Sequence, residues 1–127
     1  MTTRNVTPMI HVPDIRAAVE WYASIGFSVL DTAEEDGRMT WASMSFGAGK
    51  VMFNIEGRPS DQRRREVDLY VETPGIDALY EQLKNRVDVV EAPHDTFYGM
   101  REFIIRDLNR FWITFGQPAA SSVGGGD

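Results

Sequence analysis

Apolar residues along this chain recur first at every second position and then at every third or fourth, and the cycle runs twice. Residues 6–12 alternate and are partly β-branched, which predicts a strand. Pro13-Asp14 ends it, and Asp14 supplies a helix N-cap. Ile15, Ala18, Val19, Tyr22 and Ile25 then fall at helical spacing on one apolar stripe, closed by Gly26. A second strand begins at 27–30, followed by a polar turn at 34–37. Strands at 39–46 and 50–55 flank a tight turn, Gly47-Ala-Gly49.

The second cycle opens with a strand at 66–72. Thr73-Pro74-Gly75 carries helix-start chemistry, and Ile76, Leu79, Tyr80 and Leu83 form the second helical stripe. A strand at 87–91, a loop at 92–99 and strands at 100–106 and 111–115 complete it. The last two are joined by the polar hairpin turn Asp107-Leu-Asn-Arg110. The pattern is βαβββ, twice. It predicts an α+β fold of two modules, about 6–56 and 66–117, joined by a polar linker at 57–65 in one domain spanning 1–118. Residues 119–127, rich in Ser and Gly, read as a disordered tail. Each module leaves one sheet face uncovered. The expected architecture is two curved mixed half-barrel sheets around a concave cleft.

Strand parity assigns side chains to faces. Val67, Leu69 and Val71 should meet the second helix, which turns Glu66, Asp68 and Tyr70 to the other face. Phe111, Ile113 and Phe115 take the helix side of the last strand, with Arg110, Trp112 and Thr114 opposite. In the first strand Ile10 and Val12 face the helix, leaving Thr7, Met9 and His11 inward.

Composition narrows the function classes. With 127 residues and a net charge of −6, the chain is one domain in size and poor in the clustered cations that nucleic-acid binding needs. The one basic run, Arg63-Arg64-Arg65, reads as a solvated part of the linker in preference to an anion patch. No apolar run approaches a membrane span, and residues 1–5 lack an apolar signal core. Without cysteine there is no disulfide, thiolate ligand or thiol nucleophile, and a cytoplasmic location is the default expectation.

Two stretches resemble a known family. The first strand with Pro13-Asp14, Glu20-Trp21-Tyr22 and Gly26-Phe27 is similar to the opening of the vicinal oxygen chelate superfamily. That superfamily includes glyoxalase I, extradiol dioxygenases, fosfomycin-modifying enzymes and bleomycin-resistance proteins. Tyr98-Gly-Met-Arg-Glu-Phe-Ile-Ile-Arg-Asp107 with Phe111-Trp-Ile-Thr-Phe115 resembles its C-terminal signature. Residues 99–107 are most similar to the Gly-Arg-Glu-Phe-x-x-Arg-Asp segment of the bleomycin-resistance branch, with one residue inserted after the glycine. The resemblance covers about residues 6–117. It implies a homodimer whose chains complete each other's clefts, with the linker permitting exchange of halves.

Enzymes of this superfamily mostly chelate substrate oxygens to a divalent metal held on inner strand faces. Carried over by spacing, those positions are Thr7, Phe53, Glu66 and Thr114. A stable divalent site wants three or four nitrogen or oxygen donors, and one carboxylate with two threonines falls short. Neither metal nor cofactor is therefore expected. His94, in the 92–99 loop, reads as a solvated side chain, and no Ser-His-Asp set suggests itself.

The expected ligand-binding residues are His11, Trp41, Phe53, Glu66, Asp68, Tyr70 and Trp112, with Tyr98, Arg101 and Glu102 at the loop edge. Aromatic side chains beside carboxylates suit a flat, positively charged organic molecule. Glu102 and Arg106 are equally open to a structural ion pair. The leading expectation is a metal-independent binding protein of the bleomycin-resistance type. The alternative is a glyoxalase- or dioxygenase-type enzyme with a shifted metal site using His11, Glu66 and Glu102. A small-molecule sensor acting through a partner protein is a third reading.

Overall fold

In the computed structural model, which describes residues 4–120, each cycle of the pattern becomes one four-stranded sheet carrying one helix. The first comprises β1 (Met9–His11), α1 (Ile15–Ser24), β2 (Ser28–Glu35), β3 (Arg38–Phe46) and β4 (Gly49–Asn54). The second comprises β5 (Leu69–Glu72), α2 (Ile76–Leu83), β6 (Asp88–Asp95), β7 (Met100–Arg106) and β8 (Trp112–Pro118). The strand orders correspond term by term: β1-β4-β3-β2 and β5-β8-β7-β6. In each sheet the first strand pairs parallel to the fourth and the other pairings are antiparallel. The chain divides into two compact units between Asp61 and Gln62. The fold is α+β with a duplicated βαβββ unit, as the periodicity predicts. The tail beyond Ala120 lies outside the described residues.

In the first unit Asp14 caps α1, its carboxylate accepting from the Ala17 amide at 3.1 Å. Ile15, Ala18, Val19 and Tyr22 are buried on one side of that helix. Tyr22 meets Phe27 edge-on at 5.1 Å and lies 4.9 Å from Phe53 of β4. Each fully buried large apolar side chain contributes about 1.5–3 kcal/mol, so this face anchors helix to sheet. In the second unit Ile76 and Leu83 are buried, Tyr80 of α2 contacts Phe103 at 5.4 Å, and Phe103 stacks on Phe115 at 5.0 Å. The opposite face of each sheet carries no helix of its own unit.

Several boundaries differ from expectation, β1 being shorter and β8 longer than expected, and three others have a local reason. Residue 66 does not start β5, because pairing begins where Leu69 meets Ile113 of β8; Glu66, Val67 and Asp68 precede the strand and are exposed. Strand β6 runs on to Asp95 through the region expected as a loop, so His94 is a strand residue. Two register shifts, between Val89 and Glu91 and between Glu91 and His94, carry the chain past Pro93, which an edge strand tolerates. Strand β2 likewise continues to Glu35, with the reversal made by Asp36 and Gly37, both at positive φ.

Candidate functional site

On the helix-free face of the second sheet, β8 presents Trp112, Thr114 and Gly116, because Ile113 and Phe115 are committed to the α2 side. Cross-strand register places Tyr70 beside Thr114, and Glu102 and Arg106 beside Gly116 and Trp112. The centre of this face is Glu102, only 3% exposed. Its carboxylate accepts from the Tyr70 hydroxyl at 2.7 Å and the Tyr98 hydroxyl at 2.6 Å. Among the described residues no Lys, Arg or His forms an ion pair with it.

Both phenols are held protonated. Desolvation and then the Glu102 hydrogen bond push the Tyr70 hydroxyl well above its ordinary range, and the bond to Glu102 raises Tyr98. Both rings nonetheless remain about half exposed, and Phe97, packed edge-on to Tyr98 at 5.1 Å, is fully exposed. The site thus combines a nearly buried acid and two neutral donors with a rim of accessible aromatic surface. Thr96 shapes the rim: its backbone N–H and side-chain hydroxyl both donate to the Met100 carbonyl, at 2.7 and 3.0 Å. Gly99 takes positive φ in the same turn, where a side chain would strain the backbone.

The other end of the face is built by residues 62–65. The Arg63 carbonyl accepts from the Trp112 indole N–H and the Arg106 Nε, each at 3.0 Å. The Arg64 guanidinium lies 4.2 Å over the Trp112 ring and pairs with Asp68. Arg65 sits 4.4 Å over Phe111 and donates to the Asn109 carbonyl at 3.0 Å. The run touches the second sheet through the Arg63 carbonyl and the Arg64 and Arg65 guanidiniums, while Arg63 and Arg64 remain solvent-exposed.

In the first unit the helix-free face carries His11, Asn54 and Trp41 in one row, since Asn54 is the pairing partner of both. The His11 Nδ1 lies 2.8 Å from the Ile55 carbonyl. Phe53 does not share this face. It is fully buried against Tyr22, which corrects its placement among the ligand-contacting residues. Asn54 holds the inward position instead, and the alternation of Val51 and Phe53 on the apolar side was the signal for it.

Two further placements change. Arg101 points to the α2 side of its sheet, where it donates to Asp77 of α2 at 2.9 Å and Asp95 of β6 at 3.1 Å. Arg106 pairs with Asp88 at 2.6 Å, so no Glu102–Arg106 ion pair forms. Glu66 is exposed ahead of β5. Tyr70, Tyr98 and Glu102 are brought together, as are Asp68 and Trp112 through Arg64.

The residues at the carried-over metal positions do not fit a divalent ion. Phe53 has no donor and is packed in the core, Thr7 and Thr114 offer neutral hydroxyls, and Glu66 alone is a carboxylate. Among the described residues no group of three or more His, Asp or Glu side chains is placed to hold a metal. No helix among them is long and apolar enough to cross a membrane.

The family model described as Glyoxalase/Bleomycin resistance protein/Dioxygenase superfamily matches residues 6–115. No functionally curated protein matches the sequence. Among solved structures, TioX from Micromonospora sp. ML1 is 21% identical with a TM-score of 0.72, covering 93% of this chain and 98% of that one. A member of the same superfamily from Sphaerobacter thermophilus DSM 20745 is 18% identical with a TM-score of 0.74, covering 91% and 98%. A protein of unknown function from Agrobacterium tumefaciens str. C58 is 24% identical with a TM-score of 0.70, covering 92% and 95%. Likeness at these identities establishes the shared fold.

Proposed function

Because the chain belongs to the Glyoxalase/Bleomycin resistance protein/Dioxygenase superfamily, we propose that it is one of the fold's metal-independent binding proteins, taking a flat organic cation on its helix-free sheet surface. The observation that carries this is Glu102: a nearly buried carboxylate whose two partners are the hydroxyls of half-exposed Tyr70 and Tyr98. Neutral donors orient the acid without cancelling its charge, and a bound cation completes the pair. The aromatic rings supply flat contact area around it, each cation–π contact being worth about 0.5–2 kcal/mol according to exposure.

Along β8 the face runs from Trp112 to Gly116, roughly 13 Å at the rise of an antiparallel strand, long enough for a ligand of several fused rings. No bond is broken, so protection of a cell against such a molecule would follow from mass action and protein abundance. A homodimer is part of the same proposal, as is a cytoplasmic location.

A native mass spectrum of the purified protein, without added metal or chelator, is the direct test. A dimer carrying a small organic adduct and no metal mass is the expected outcome. One divalent ion per chain would overturn the proposal in favour of metal chemistry. Fluorescence titration with ethidium, a planar organic cation, tests the carboxylate. Glu102→Gln should weaken binding about tenfold, the equivalent of one hydrogen-bonded charge. Equal affinity in wild type and variant would remove Glu102 from the site.

A further inference from the structure

We propose that the indole face of Trp112, with Asp68 beside it, is a subsite for a planar guanidinium- or amidinium-type cation, and that Arg64 of the same chain is its resident occupant. This rests on the cation-binding reading above and adds a class of ligand group and an internal competitor to it.

The geometry is that of recognition. Arg64 places its planar cation 4.2 Å over the Trp112 ring and turns two nitrogens, Nε and Nη2, toward the two oxygens of Asp68. An aromatic plate below and a forked carboxylate at the edge match a flat cation with parallel N–H donors. The plate is held in place independently of Arg64. The Trp112 indole N–H is anchored on the Arg63 carbonyl, and Arg106 donates to that same carbonyl while paired with Asp88.

The occupant, by contrast, is loosely held. The Arg64 side chain is 56% exposed, and its pairing is with a residue four positions away on the same segment, ahead of β5. Exposed ion pairs of this kind are weak and salt-screened. Rotation about the Arg64 side chain frees the indole face without moving Arg63. An incoming cation then exchanges one guanidinium for another, so the resident arginine lowers the affinity of every ligand at this subsite by the same factor.

The test uses benzamidine, a planar aromatic amidinium, titrated against the full-length protein with calorimetric detection. Arg64→Ala should bind benzamidine about five- to tenfold more tightly than wild type, the size of one surface cation–π contact together with one surface ion pair. The double variant Arg64→Ala/Trp112→Leu carries the same net charge as Arg64→Ala and should lose that gain. It thereby separates the indole plate from a general attraction to an uncovered Asp68.

Arg64→Ala binding no more tightly than wild type, or the double variant binding as tightly as Arg64→Ala, would overturn the proposal. So would a complete lack of benzamidine binding to Arg64→Ala. Glu102→Gln added to Arg64→Ala distinguishes the two levels. A gain that survives it leaves the Trp112 subsite standing even where the Glu102 site fails, and a missing gain with intact ethidium binding removes the subsite alone.

Discussion

Tyr70 lies across the backbone of Gly116 so closely that a β-carbon at 116 would overlap its hydroxyl. Gly116 is the register partner of Glu102 on one side and of Glu72 on the other, so the phenol crosses the sheet diagonally to reach Glu102. The glycine serves as a floor for that side chain, and its own φ is not in the left-handed region. Gly116→Ala is therefore compatible with the backbone yet should displace Tyr70 and break the bond to Glu102. A loss of about 1–3 kcal/mol in denaturant unfolding is expected, with weakened ethidium binding. Unchanged stability and binding would show that Tyr70 need not occupy this position.

Tyr70→Phe keeps the ring and removes only the donor. Leaving Glu102 short of one partner should cost about 1–2 kcal/mol of stability. Ethidium affinity should fall less than in Glu102→Gln, because the aromatic surface and the acid both remain. Parallel unfolding curves and titrations separate the two contributions.

Alkaline titration should reveal the same cluster. The folded state raises both Tyr70 and Tyr98 above the ordinary tyrosine value of 10.0. The unfolded chain then loses these protons first, so the stabilisation is complete below pH 10 and is lost as pH rises through the folded-state values. The unfolding midpoint should decline above pH 10, and the phenolate absorbance of the folded protein should lag that of the unfolded chain. In Tyr70→Phe the decline should be shallower.

Phe53 separates core from site. Its full burial against Tyr22 predicts a cost of about 3–5 kcal/mol for Phe53→Ala, measured by denaturant unfolding. The milder Phe53→Leu should stay folded and bind ethidium as wild type does. A binding defect in folded Phe53→Leu would return this residue to the ligand surface.

Arg101 is a clasp between α2 and β6, with acceptors on both, and its side chain lies on the helix side of the sheet. Its carboxylate partners are exposed, and the Arg101 hydrogen bonds hold Asp77 below the usual carboxylate range. That small stabilisation is present above the ordinary aspartate range and is lost as pH falls through the depressed value. Arg101→Ala should lower the melting temperature slightly at neutral pH and leave ethidium affinity within about twofold of wild type.

The carboxylate at the centre of the candidate site illustrates how far local pattern carries. Glu102 and Tyr70 could each be placed on the helix-free face from alternation alone, because their neighbours Phe103, Val71 and Leu69 are apolar at the opposite parity. That they bond to each other, and that Tyr98 joins them, depends on register between β5, β8 and β7 and on the 96–99 turn. Arg101 and Glu102 are adjacent in sequence and point to opposite faces, so a place at the loop edge does not put Arg101 on the face of Glu102. Phe53 follows Val51 into the core by the strand's own alternation, against the inward place that family spacing implies for it.

The sequence by itself determined the duplicated βαβββ pattern, both helices, the Asp14 cap, most of the helix-facing core and the scarcity of metal donors. These follow from periodicity, turn chemistry and residue type, which act over a few positions at a time. Only the tertiary structure decided that residues 62–65 bind back across Trp112, that Gly116 makes room for Tyr70, and that Arg106 turns to Asp88 while Glu102 keeps its two phenols. Those contacts join residues far apart in the chain. They are selected by which strands pair and in what register, and no local pattern encodes that choice.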